Sequence, residues 1–275
     1  ELGQKLNLYL QGQRLSLNLS EIQNTDNSFH NINFNINVEK LFLSNKSVYN
    51  PVLKGSIYNS KFENLEFFSR NNDKLHDIKI FTENGEKKLF IMSNDASELI
   101  SYFKKEVNIK RGELLVDAKK IGDSFVGVIK LSEFVAYDTP LLAKILSIFS
   151  IDALDQKLLD DGIFFKKLET DYTFSEDIIN LNNGLLKGSE LGITFDGKGN
   201  IVENFYDIKG TFVPAYTLNT LLTDLPIVGD IITAGSPEEG ILAANYKLRT
   251  VDGKLDVSFN PISAIVPNII KNLLD

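Results

Sequence analysis

The 275-residue sequence predicts a mainly β fold, a β-rich α+β arrangement of mostly antiparallel strands in an open sheet crossed by a few helices. Three observations predict it. Apolar residues recur at every second position through most of the chain, as at Leu6, Leu8 and Leu10 or at Phe34, Ile36 and Val38. Turn residues interrupt these runs at short intervals, with Gly184, Gly188, Gly192, Gly197 and Gly199 crowded into one stretch. Helical spacing is confined to 95–107, 139–160 and the last residues. A doubly wound parallel sheet needs a helix between most strands, and the pattern supplies too few.

In chain order, Leu6–Leu10 and Leu15–Leu19 alternate on either side of Gly12, which predicts a hairpin over 1–23. Residues 24–31 read as a polar loop. Alternation resumes at Phe34, Ile36 and Val38, again at Leu41 and Leu43, and after Asn50-Pro51 at Leu53, Gly55 and Ile57. Leu65 and Phe67 mark another strand, with Phe68 on its opposite face. Ile78 and Ile80 lead to Asn84-Gly85, a tight-hairpin signal because both residues tolerate positive φ. Beyond it, Leu89 and Ile91 alternate with Phe90 and Met92, so this strand is apolar on both faces.

A helix is expected over 95–107, capped by Asn94 or Asp95, with Leu99, Ile100, Phe103 and Val107 at helical spacing. Strands follow around 113–118 and 124–131, separated by Gly122-Asp123. The segment 139–160 reads as helical. Pro140 suits its first turn, and Leu141, Leu142, Ile145, Leu146 and Phe149 make it apolar nearly all round. Strands return at 165–172, 179–182, 185–187, 193–196, 201–204 and 206–213, and two more follow before the end. The whole divides into a β-rich segment with one helix, 1–130, and a second domain, 131–275.

Composition limits the partners. The net charge of −8 lacks the dense basic face that a nucleic-acid binder needs, and Lys104-Lys105 and Lys119-Lys120 read as solvated faces. There is no cysteine, hence no disulfide or thiolate metal site. No apolar run approaches the ~18–20 residues that span a bilayer. The chain reads as a fragment of a longer protein, so that any anchor or signal would lie upstream.

No chemistry-bearing constellation emerges, and the chain is read as non-enzymatic, with no cofactor. Gly192–Gly199 (GITFDGKG) is one residue from a phosphate-binding loop, but Gly199 replaces the metal-binding Ser or Thr and no helix follows; a hairpin turn is the expectation. His30 and His76 are the only histidines and neither has partners at ligand spacing; His76 is expected at the surface of a strand end, with a pH-sensitive pair to Asp77 as the alternative. The serine of Gly188–Gly192 (GSELG) stands one place early for a nucleophile elbow. Asp160-Asp161, Glu238-Glu239 and the acids within 152–155 read as solvated charge.

The C-terminal segment carries one apolar stripe, Ile262, Ile265, Val266, Ile269, Ile270, Leu273 and Leu274, at helical spacing over 262–274. A helix of that length reaches ~20 Å, short of a bilayer. It caps the sheet or lies on a membrane or protein surface.

The order of motifs here resembles the C-terminal domain of the AsmA-like family (AsmA/TamB/YhdP-type bacterial envelope proteins). The carriers are Val213-Pro214-Ala215-Tyr216, Leu218-Asn219, Pro226 to Gly229, Glu239-Gly240 and Asn260-Pro261-Ile262-Ser263. Upstream, Pro140 to Ile151, Gly162 to Leu168 and Leu185 to Gly197 extend it over about residues 130–275. The resemblance implies a long, curved sheet forming an open groove with an apolar lining, capped by short helices. It implies a periplasmic module, anchored to the inner membrane outside this sequence, that carries phospholipid towards the outer membrane. The segment with Leu141 to Phe149 would then plug the groove's end, and the terminal stripe would cap the sheet or meet the membrane or an envelope protein. A structural or protein-docking scaffold with a closed core is the competing expectation.

Overall fold

The computed structural model describes residues 5–17, 31–43, 46–59, 61–103, 107–137, 161–189, 191–200, 203, 205–214 and 243–262. Strands account for most of them: β1 (Lys5–Leu17), β2 (Asn31–Leu43), β3 (Lys46–Tyr49), β4 (Val52–Tyr58), β5 (Lys61–Asn71), β6 (Lys74–Glu83), β7 (Glu86–Ser93), β8 (Ile109–Ile121) and β9 (Ser124–Ala136). After them come β10 (Ile163–Ser175), β11 (Ile178–Gly188), β12 (Leu191–Asn200), β13 (Phe205–Pro214), β14 (Ala243–Val251) and β15 (Lys254–Ile262). One helix lies among the described residues, α1 (Ala96–Ser101). The expected β-rich class with few helices is therefore what the chain adopts. The strands are neighbours in sequence order within a single 15-stranded sheet, except that β3 pairs β2 off the main path. Two compact units divide the chain, residues 1–131 and 132–275.

In the first unit the pairs from β2–β4 through β7–β8 are antiparallel. β1 runs parallel to β2. A parallel pair needs a connection of about a dozen residues or more, and residues 18–30 have that length. The hairpin expected over 1–23 is thus corrected: its described part is one strand that runs through Gly12. The two runs of alternation read at 34–38 and 41–43 are also one strand, β2. Its register with β1 is unbroken, Leu10 facing Ile36 and Leu15 facing Leu41, and on its other side Ile36 faces Leu53 and Leu41 faces Val48. The alternation therefore changes phase on all these strands at one transverse line, near Gly12, Glu39 and Asn50. There Asn50 takes φ 44° and its amide donates to the Glu39 carbonyl at 2.8 Å. Because the strands change phase together, Ile36, Val38, Leu41, Leu43 and Val48 still enter one core cluster.

Asn84 and Gly85 adopt φ 52° and 81°, as the tight turn between β6 and β7 requires. Asp95 caps α1, accepting from the Glu98 amide at 3.0 Å. The helix is shorter than the spacing suggests. Tyr102 and Phe103 donate to Leu99 and Ile100 in tightened i→i−3 bonds, and Val107 lies outside it. Apolar spacing alone marked 95–107 as helix; local hydrogen bonding ends it at Ser101.

In the second unit β10 to β15 form an antiparallel succession. The strands read separately at 179–182 and 185–187 are one, β11, with a register irregularity between Leu181 and Gly184 where Asn183 takes φ 54°. Gly192–Gly199 is neither a phosphate loop nor a hairpin turn: all of it lies within β12. Of the strand expected at 201–204, Glu203 is described and sits in a turn, its amide donating to Asn200 Oδ1 at 2.9 Å.

Candidate functional site

Period two places one apolar set on each strand, and the register aligns these sets into rows. Across the first unit one row reads Leu10, Ile36, Leu53, Phe67, Ile78, Ile91 and Val116, on β1, β2 and β4 to β8. The next reads Leu8, Phe34, Gly55, Leu65, Ile80, Leu89 and Ala118. A Cβ on Gly55 would come within 2.8 Å of the Phe34 ring, so that ring covers the glycine. On the opposite face the row Lys54, Glu66, Lys79, Phe90, Asp117 is mainly charged, and Lys54 pairs with Glu66 at 2.8 Å. One face is wet and the other apolar.

A cavity of about 350 Å³ opens on the apolar face. The rows supply Leu8, Phe34, Ile36, Leu53, Leu65, Phe67 and Ile78, and the flanking positions add Ile32, Leu41, Leu43, Ile57, Phe62 and Phe103. Every lining residue is apolar. Such a site offers no hydrogen bond and no charge; what it can do is take hydrocarbon out of water, at ~0.8 kcal/mol per buried CH₂. Its size falls in the usual range for ligand pockets, ~300–1,000 Å³.

Where the apolar rows stop, a polar row begins: Ser69, His76 and Ser93 on β5, β6 and β7, ending at Leu114 on β8. α1 is fixed over it. Lys74 Nζ reaches Asp95 at 2.9 Å and Glu98 at 2.5 Å, and the Tyr102 hydroxyl donates to Glu98 at 2.8 Å. Asn94 accepts from the Leu75 amide at 2.7 Å and donates to the Asp73 carbonyl at 2.6 Å, which ties the helix entry to the β5–β6 turn. His76 is fully buried, its ring edge-on to Tyr102 with centroids 5.4 Å apart. The expectation of a surface histidine is overturned. Nor does His76 pair with Asp77, which stands on the other face of β6 and takes Lys79 at 2.7 Å. His76 Nδ1 lies 2.8 Å from Ser93 Oγ, and Nε2 is 3.8 Å from Glu98.

Burial pushes the His76 imidazole down, and the Glu98 and Asp95 carboxylates only partly offset it; the ring stays below the ordinary histidine value of 6.5. Burial pushes the Asp95 and Glu98 carboxyls up. Together the bond and charge of Lys74, with Ser97 and the Glu98 amide at Asp95 and with Tyr102 at Glu98, outweigh it, so both are held below the usual carboxylate range. Lys74 is raised by its bonds to the same two carboxylates. Burial, with the Glu98 bond, raises the Tyr102 phenol.

The second unit presents a different apolar face. Phe195 of β12 faces Gly184 of β11 on one side and Gly210 of β13 on the other. Tyr246 of β14 also faces Gly210, and its hydroxyl reaches past it to donate to the Thr194 carbonyl at 3.1 Å. Towards one end of these strands Ile163, Phe165, Leu191, Phe212, Val213 and Ala243 are fully buried. On the other face the Thr211 amide donates to the Thr194 hydroxyl oxygen at 3.1 Å, and the Thr211 hydroxyl donates to Asn245 Oδ1 at 2.9 Å.

Of the residues singled out from the sequence, Leu141, Leu142, Ile145, Leu146 and Phe149 lie outside the described residues. So do Ile265, Val266, Ile269, Ile270, Leu273 and Leu274, and with them Ala215-Tyr216, Leu218-Asn219, Pro226 to Gly229 and Glu239-Gly240. Ile262 is described, and it corrects its assignment to the terminal helix: it is the last residue of β15, paired with Ala243. Sequence reasoning missed the cavity, because each lining residue looks like ordinary strand alternation. Stacking the columns from the Asn84-Gly85 turn outward was the available signal. Among the described residues no helix is long and apolar enough to cross a membrane, and no group of acidic or histidine side chains has a metal-binding arrangement. No protein-family model, curated protein or solved structure matches this chain.

Proposed function

We propose that the chain is a non-enzymatic lipid-binding or lipid-conduit module of a large cell-envelope protein, its apolar sheet faces forming a groove for acyl chains. The observation that carries this is the cavity of about 350 Å³ without a polar lining residue, continuous with apolar rows that cross seven strands. Apolar side chains left around an open cavity favour a hydrocarbon occupant. The resemblance to AsmA-like proteins supplies the cargo and the place: phospholipid moving between inner and outer membrane through the periplasm.

Native mass spectrometry of the delipidated chain with phospholipid tests the reading. Bound lipid is expected, with at least a tenfold loss in Leu65→Arg, which puts a charge into the cavity, and none in Lys79→Gln on the opposite face. Persistent absence of bound lipid at high lipid concentration would sink it.

A second reading, a protein-docking scaffold with a closed core, is favoured by the second unit, where Ile163, Phe165, Leu191 and Phe212 have no exposed surface. On that reading Leu65→Arg weakens capture of a protein partner and leaves lipid out of account.

A further inference from the structure

We propose that α1 is an acid-released latch closing one end of the apolar cavity, with buried His76 as the group that senses the proton. The inference rests on the cavity being the lipid site. Leu99 and Tyr102 belong to the same core cluster as Leu41 and Phe67, and the next residue, Phe103, is 54% exposed and lines the cavity. Movement of α1 therefore moves the cavity wall.

A helix of six residues has no stability of its own. It buries Ala96, Leu99 and its C-cap Tyr102, and the rest of its hold on the sheet is polar: Lys74 to Asp95 and Glu98, and the Asp95 amide to the Ser93 hydroxyl. His76 sits beneath this arrangement and is wired into it. The Ser93 hydroxyl oxygen, 2.8 Å from His76 Nδ1, also accepts from the Asp95 amide at 3.1 Å. Neutral imidazole can accept from the Ser93 hydroxyl at Nδ1; a protonated ring can only donate there.

The groups facing His76 come from every element around it. β5 gives Ser69, beside the Tyr102 hydroxyl; β6 gives Lys74; β7 gives Ser93; β8 gives Leu114; α1 gives Asp95, Glu98 and Tyr102. Asp95 and Glu98 attract a proton and Lys74 repels it. Both carboxylates are already engaged by Lys74, and Glu98 stands 3.8 Å from Nε2, beyond hydrogen-bond distance. With α1 closed, burial of the ring disfavours its protonated form. With α1 lifted, the ring meets water and takes a proton near ~6.5. The open state binds the extra proton, so falling pH favours opening, by at most about tenfold per pH unit.

Hydrogen exchange of the full chain, read over 96–103 and corrected for the intrinsic pH dependence, tests this without lipid. Opening is expected to rise as pH falls from 7.5 to 5.5, with β10–β15 unchanged and with no rise in His76→Gln. Glu98→Gln loosens the latch at every pH yet keeps the rise, because it keeps the histidine. The proposal is overturned if protection of 96–103 is constant or grows on acidification, if His76→Gln shows the same rise, or if Glu98→Gln abolishes it. The chain preloaded with a fluorescent fatty acid should then release it several-fold faster at pH 5.5 than at 7.5. Flat exchange defeats the latch and leaves lipid binding standing; absent lipid binding defeats the cargo and leaves the exchange result standing.

Discussion

On β12, Phe195 has a glycine on each side, and Tyr246 of β14 reaches across one of them to the Thr194 carbonyl. In the first unit the corresponding rows carry Leu, Ile and Phe on strand after strand, with Gly55 the one glycine in the two apolar rows. Both faces arise from the same alternation, but aromatic rings over glycine spread sideways and cover neighbouring backbone. In the first unit Gly55, under Phe34, is the one place in the two rows covered this way, and the cavity lies among the Leu, Ile and Phe side chains around it. How a sheet covers its apolar face thus depends on side-chain shape as well as on apolar pattern.

Four changes would break or sharpen the contrast. Phe212→Ala removes a fully buried ring from the second unit and should cost about 3–5 kcal/mol in urea unfolding. A cost below about 1 kcal/mol would show that this face is not a packed core. Gly210→Ala drives a methyl group into the Thr194 carbonyl and should cost about 1–3 kcal/mol, with loss of the Tyr246 contact seen as a shifted tyrosine signal. The first unit should respond more mildly. Asp95→Ala removes the α1 cap and one Lys74 partner, and about 1 kcal/mol is expected to be lost locally, read as faster exchange over 96–103 with β10–β15 unaffected. Lys54→Ala breaks a surface pair on the wet face and should fall within about 0.5 kcal/mol of the parent.

The pH response should separate the units as well. Asp95 and Glu98 are held below the usual carboxylate range, so their contribution is present above it and is lost as acid protonates them. Lys74 is raised above 10.5, so its contribution is present below that value and fades at higher pH. His76 is lowered, so stability rises with pH up through 6.5. The α1 region should be firmest between about pH 7 and pH 10. Both histidines of the chain precede residue 131, and a near-neutral transition that appeared equally in β10–β15 would count against His76 as its source.

Much of this was readable in the sequence because it is local. Alternation identified the strands and the β-rich class, Asn84-Gly85 marked its turn through positive φ, and Asn94 or Asp95 marked the α1 cap, which Asp95 makes. The GITFDGKG stretch could be refused as a phosphate loop for want of a following helix. What local pattern does not encode is partnership. The odd step between Val38 and Leu41 looked like two strands, because only the unbroken register with β1 shows one strand changing phase with its neighbours. Gly184, Gly197 and Gly199 looked like turns; they lie within strands, Gly184 against the Phe195 ring. His76 looked like a surface histidine at a strand end, until the period of two sent Asp77 to the opposite face and the imidazole beneath Tyr102. The sequence by itself determined which residues are apolar on each strand. Only the tertiary structure decided which of them stand in one row, since register and coverage are set by residues distant in the chain.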